Sequence, residues 1–195
     1  MNTHIYMIRH GDSPKEGPER TRGLTEKGIA DVQKVTELLK KEDMDVVVSS
    51  PYLRSILTVE GISQHIGKSV IVEEDLKERI FSTGNNRISD QELGPLLEAS
   101  FHDPDFALKG AESNVECQSR AIVVLNTLLH TYEGKKIAVG THGAIMTLMM
   151  GHYDSRFDLS FLHSTSKPDI YRMEFKGLEL VGVQRLWTEA ERVTI

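Results

Sequence analysis

His4-Ile5-Tyr6-Met7-Ile8-Arg9-His10-Gly11 sets the architecture of this chain: an apolar run ends abruptly in a cation, an imidazole and a glycine. Ile5 to Ile8 are apolar without alternation, the pattern of a strand covered on both faces, so His4 to Arg9 is predicted as the first strand of a sheet. A polar loop rich in Gly and Pro follows from Gly11 to Gly23. From Thr25 to about Lys41, Ile29, Val32, Val35, Leu38 and Leu39 recur at helical spacing, with Thr25 placed as the N-cap. Asp45 to Ser49 is a second strand, its Val46-Val47-Val48 run β-branched and apolar on both faces. Ser50 and Pro51 start another helix, which carries Leu53, Ile56, Leu57, Val59 and Ile62 and stops near Gly67. Ser69 to Val72 gives a third, short strand.

From Asp75 to Gly110 glycines, asparagines and prolines interrupt regular structure, and this stretch is expected to form a substrate-side lobe of loops and a short helix. Ser89 with Glu92, and Ser113 with Glu116, have the spacing of a capping box, the second preceding the apolar run Ala121 to Leu129. Lys136 to Gly140 is a fourth strand, leading into Thr141-His142-Gly143 and a Met-rich helix from about Ala144 to Met150. Ile170 to Phe175 and Leu178 to Leu186 read as a hairpin across Lys176-Gly177. Strands separated by helices call for an α/β fold, here a three-layer α/β/α sandwich with a mostly parallel central sheet and a C-terminal hairpin. The strands' C-terminal ends then share one edge, where ligands bind. Arg9-His10, Ser49-Ser50-Pro51 with Arg54 one turn later, and Thr141-His142 all fall on that edge.

Composition narrows the function classes. A chain of 195 residues with 39% apolar content is enough for one domain, expected to span 1–195, and no linker divides it. With 29 acidic against 23 basic residues and a formal net charge of -6, it lacks the basic surface that nucleic acid requires, so any positive site must be local. No stretch approaches a membrane span and no secretory leader is legible, which reads as cytoplasmic. Lone Cys117 supports neither an internal disulfide nor a zinc cluster. His4, His65, His102, His130, His152 and His163 show no ligand spacing, so no metal and no cofactor is expected. If the local positive site at the strand ends handles phosphate, the partner is a small phosphorylated metabolite or a phosphoprotein, and oligomeric state is open because an exposed hairpin edge near Leu178 to Leu186 is free either to pair with a second subunit or to be covered.

The strand-end residues have a chemistry in common. A neutral imidazole attacks phosphorus, and a guanidinium holds the equatorial oxygens over which a phosphoryl group in transfer spreads its charge. Arg9 and Arg54 each offer forked donors without losing their protons. His142, protonated by a bound phosphate, adds another donor, and the helix starting at Gly143 adds backbone N–H groups. Ser13 and Thr141 are placed to donate hydroxyls. Lys15, Arg20 and Arg22 remain to meet an anionic substrate.

Taken together, Arg9-His10-Gly11, Leu24-Thr25-Glu26-Lys27-Gly28, Ser49-Ser50-Pro51-Tyr52-Leu53-Arg54-Ser55, Glu112-Ser113 with Glu116 and Arg120, and Thr141-His142-Gly143 resemble the histidine phosphatase superfamily, in its phosphoglycerate mutase-like branch. The segments run in the family's order over most of the chain. The resemblance implies a phosphoglycerate mutase-like fold, His10 as the phosphorylated nucleophile, and Arg9, Arg54 and His142 as the phosphate pocket. It also implies an acidic proton donor after the third strand, a role that falls by position on Glu78, with Glu73, Glu74 and Asp75 as neighbours. After Phe81 the family's usual Gly and Trp-Glu-Gly are replaced by Ser82-Thr83-Gly84-Asn85-Asn86. Asp12 to Gly17 lacks the Asn that mutases of the branch carry there, which favours a phosphomonoester hydrolase over a mutase-type phosphotransferase. The third alternative is a weakly catalytic regulatory protein that binds a phosphorylated ligand. Glu112 and Ser113 stand between a capping role and a supporting one.

Overall fold

The computed structural model describes residues 1–188; residues 189–195, the end of the expected 1–195 unit, lie outside the described residues. Six strands form one sheet in the order β3-β2-β4-β1-β5-β6: β1 Thr3–Arg9, β2 Val46–Ser49, β3 Ile71–Val72, β4 Lys136–Thr141, β5 Asp169–Lys176 and β6 Glu179–Arg185. β1 to β4 pair in parallel, whereas β5 and β6 return antiparallel as the predicted hairpin, with Gly177 at φ 60° in its turn. β6 is an edge strand. β3 is only two residues long, so the expected strand from Ser69 shrinks to its last two positions.

The side chains of β1 divide between two cores, as strand alternation requires. Tyr6 and Ile8 pack with Val35 and Leu39 of helix α1 (Glu26–Leu39) and with Val59 and Ile62 of α2 (Leu53–His65). Ile5 and Met7 face Leu125 and Leu128 of α4 (Asn114–Thr131) and Ile145 and Met149 of α5 (Gly143–Tyr153). This is the α/β/α sandwich. Each fully buried Val, Leu or Ile contributes about 1.5–3 kcal/mol, so these two apolar layers are what hold the sheet edge in place.

Local signals place the helix ends. Thr25 accepts from the Gly28 N–H, and Ser89 and Ser113 each form a complete capping box. Two boundaries differ from expectation. α2 begins at Leu53, after Ser50 and Pro51, with extended Tyr52 at its N-cap. α3 (Asp90–His102) runs straight through Pro95, because the capping box fixes its start and the Gln91 carbonyl that Pro95 leaves unbonded lies on an exposed face. The short helix expected after Ser89 is therefore a 13-residue helix. A short helix not read in the sequence, α6 (Leu159–Ser164), is capped by Asp158. Among the described residues, no helix is long and apolar enough to cross a membrane.

Candidate active site

Strand register brings the site together. Parallel pairing sets Arg9 opposite Thr141, and the His10 N–H donates to the Thr141 carbonyl at 3.0 Å, so His10 and His142 leave adjacent strands at one level. Their ring centroids lie 5.2 Å apart. On the other side of β4, Ser49 pairs with Gly140, and the Ser50 hydroxyl meets His142 Nε2 at 2.7 Å. Arg54, in the first turn of α2, is 1% exposed and reaches both His10 and the loop before α1.

Hydrogen-bond partners fix the tautomer of His10. The Gly11 carbonyl, 2.7 Å from Nδ1, only accepts, so Nδ1 carries the proton. Arg54 Nε donates to Nε2 at 3.2 Å, which leaves Nε2 as the nitrogen with the lone pair. Burial, reinforced by the Arg54 charge, pushes the His10 pKa well below its ordinary value. The same two causes act on His142, whose Nδ1 is buried without a partner. Both rings are neutral in this state, and the imidazolium form of His142 requires a bound anion to raise its pKa.

Arg9 donates to the Thr165 carbonyl and hydroxyl, and its buried Nε has no partner. Gly143 is the residue on which Arg9 lies: a Cβ there would stand 2.8 Å from Nη2. Burial lowers the pKa of Arg54 to about 10, opposed by Glu19, whose backbone carbonyl and carboxylate accept from its two Nη atoms at 2.6 and 2.7 Å. Arg22 donates to the same Glu19 carboxylate.

Glu78 lines the cleft with Arg9, His10 and Arg54. Its carboxylate accepts from the Ala144 and Ile145 N–H groups, at 3.1 and 2.9 Å. The helix N-terminus expected to hold phosphate therefore holds Glu78. The loop carrying Glu78 is braced from below. Arg120 grips Glu112 with two hydrogen bonds of 2.6 and 2.9 Å and also donates to the Asp75 carbonyl, while Glu112 accepts from the Ile80 N–H. Glu112 and Arg120 are thus a support for the acid loop, and Ser113 is a cap. Glu74, one of the competing carboxylates, is taken up by Arg20, which pulls its pKa down to about 2.

Some expectations are not met. Ser13 is outside the cleft lining; its hydroxyl donates to the Gly23 carbonyl at 2.6 Å and accepts from Arg22. Thr141 Oγ1 is buried without a partner. Lys15 and Arg20 are bound to Asp90 and Glu74 outside the cleft. Arg22 alone of that basic trio lines it.

The model of the histidine phosphatase superfamily, branch 1, matches residues 5–177. The chain belongs to this superfamily. A phosphatase of Bacillus subtilis, PhoE, named as uncharacterized, is 25% identical over 153 residues, 76% of each chain. A probable phosphoglycerate mutase, GpmB, of Cronobacter sakazakii is 27% identical over 148 residues, 71% of this chain and 69% of the relative. The phosphoserine phosphatase of Entamoeba histolytica, solved with 3-phosphoglyceric acid, superposes with a TM-score of 0.76 over 96% of this chain and 98% of that one, at 23% identity. The fold is phosphoglycerate mutase-like.

In this member of the superfamily, several cleft residues escape sequence reading. Tyr52 sets its ring edge-on to His142 at 5.1 Å and lies under the Arg54 guanidinium at 4.8 Å. Glu19, Arg79, Arg87 and Lys167 also line the cleft. Lys167 had a legible signal: β5 is antiparallel, so the loop before it, not the one after it, returns to the C-terminal edge of the parallel strands. Attention to the ends of strands alone misses the start of an antiparallel one.

Proposed function

We propose that this chain is a phosphomonoester hydrolase that works through a phosphohistidine on His10 and needs no metal ion to neutralise the phosphoryl group. The observation that carries the reading is the hydrogen bonding of His10: the Gly11 carbonyl holds the proton on Nδ1, and Nε2 keeps its lone pair, met by the Arg54 Nε–H, in a cleft that Arg9 also lines. In the first step Nε2 attacks phosphorus and the P–O ester bond breaks. Glu78 gives its proton to the leaving oxygen. In the second step water attacks the phosphohistidine, its proton passes to the Glu78 carboxylate, and the P–N bond breaks to release orthophosphate.

Charge stabilisation falls to Arg9 and Arg54, with His142 charging as the phosphate arrives. Glu19 must release Arg54 for this, because one guanidinium edge cannot serve both anions. A cleft with a cavity volume of about 140 Å³ suits a small phosphorylated group. The solved relative that binds 3-phosphoglyceric acid supports the same class.

The test is release of inorganic phosphate from p-nitrophenyl phosphate and from alkyl phosphates, with a chelator present. Wild type is expected to turn over and His10→Ala to fall by at least about 10³-fold, a conservative bound beside the ~10⁶-fold loss that removal of a catalytic nucleophile can cause. Unchanged turnover in His10→Ala would contradict the reading, and transfer of phosphate to a second substrate hydroxyl in place of water would convert it to a mutase.

A further inference from the structure

The cleft around His10 carries more positive charge than one phosphate monoester balances. Six cationic side chains line it against the carboxylates of Glu19 and Glu78, in a chain whose formal net charge is -6. Five of the six are engaged: Arg22 and Arg54 by Glu19, Arg87 by Asp90, Arg9 by Thr165 and Arg79 by the Phe106 carbonyl. The sixth is Lys167, whose ammonium forms no hydrogen bond or ion pair among the described residues.

Lys167 is held beside the phosphate pocket from both sides. Two residues before it, Thr165 accepts from Arg9; two residues after it, Asp169 pairs in register with Arg9 across β1 and β5. Loss of solvent, then the charges of Arg9 and Arg87, lower its pKa to about 8, with Asp12 and Asp90 acting in the opposite direction. Lys167 keeps an exposed side chain at the cleft rim, and an ammonium crowded there by Arg9 and Arg87 gains more from an added oxyanion than an isolated surface lysine does, because the anion offsets that repulsion.

We propose that Lys167 receives a second oxyanion of the substrate, carried on the leaving group beyond the phosphoryl, so that this site selects phosphomonoesters bearing a carboxylate or a second phosphate. The inference rests on the hydrolase reading of the cleft and adds the substrate class to it. Lys167 lines the cleft from the loop before β5, so the selected group is the one that approaches that wall while phosphorus sits against His10.

Matched pairs of esters test it. Phosphoserine against phosphoethanolamine differs by one carboxylate, and propanediol bisphosphate against the monophosphate differs by one phosphate, which separates the two sources of the oxyanion. Wild type is expected to favour the doubly anionic member of at least one pair by about tenfold in kcat/KM, equivalent to about 1.4 kcal/mol. Lys167→Met should bring that ratio close to one, Lys167→Arg should keep it, and the wild-type preference should shrink as pH rises through 8 and the free ammonium loses its proton. The same pairs titrated calorimetrically into His10→Ala report the preference without turnover. Absent hydrolysis with a Lys167-dependent binding preference would overturn the hydrolase reading alone. A preference that survives Lys167→Met, or a wild-type ratio near one in both pairs, would overturn this inference alone.

Discussion

Glu78 and His10 are positioned by opposite devices. The His10 ring is held by the Gly11 carbonyl, which only accepts and so fixes the proton on Nδ1, and by the Arg54 Nε–H, which meets the lone pair of Nε2. Glu78 is held by two N–H groups at the start of α5 and by a loop braced through Glu112 and Arg120. If Glu78 supplies the proton to the leaving oxygen, its loss matters only where the leaving group needs one. Glu78→Gln is therefore expected to slow an alkyl phosphate by about 10²–10⁴-fold, the usual range for a positioned acid, and p-nitrophenyl phosphate far less. Steady-state kcat/KM on the two esters reads this directly, and equal losses would remove Glu78 from the proton-transfer role.

At the scale of elements, α1 clamps the loop that carries the His10 anchor. A Cβ on Gly28 would stand 2.2 Å from the Asp12 carbonyl oxygen, which itself accepts from the Thr25 N–H. Backbone cannot yield there as a flexible side chain would, so Gly28→Ala is expected to cost about 1–3 kcal/mol and to lower kcat by displacing Gly11. Gly94 in α3 has nothing within 4 Å of its would-be Cβ, and Gly94→Ala should leave stability unchanged or raise it by about 0.4–1 kcal/mol. Thermal melts of the two variants make the comparison, and a harmless Gly28→Ala would contradict the clamp. These elements differ in how openly the sequence announces them. β1, β4 and the capping boxes are written in local apolar runs and short spacings, so the pairing of Arg9 with Thr141 follows once the sheet is parallel. α3 passing Pro95 and the two-residue β3 depend on exposure and on partners distant in sequence. Local pattern carries neither.

The whole molecule stores two neutral histidines in its interior, and their effect on stability has a definite sign. Burial lowers the folded-state pKa of His10 and His142, whereas in the unfolded chain both titrate near 6.5. Below that value the unfolded state binds protons that the folded state does not. Stability is therefore lost as pH falls, by up to about 1.4 kcal/mol per pH unit for each histidine. The melting temperature should drop between pH 7 and pH 5, and a His10→Asn, His142→Asn double variant should show a flatter slope; equal slopes would contradict the neutral assignment. The site as a whole was readable where each residue closes a parallel strand, as His10 and His142 do. Glu19 was not, because a loop folding back brings it in, and Lys167 was legible only through the antiparallel sense of β5, which returns the loop before it to that edge. The most direct test of the account is rapid-quench trapping with a phosphate-labelled substrate, followed by peptide mass spectrometry. It predicts an acid-labile, base-stable phosphoryl group on His10 that is absent in His10→Ala. Turnover with no label on His10, or label on another residue at the same rate, would contradict it.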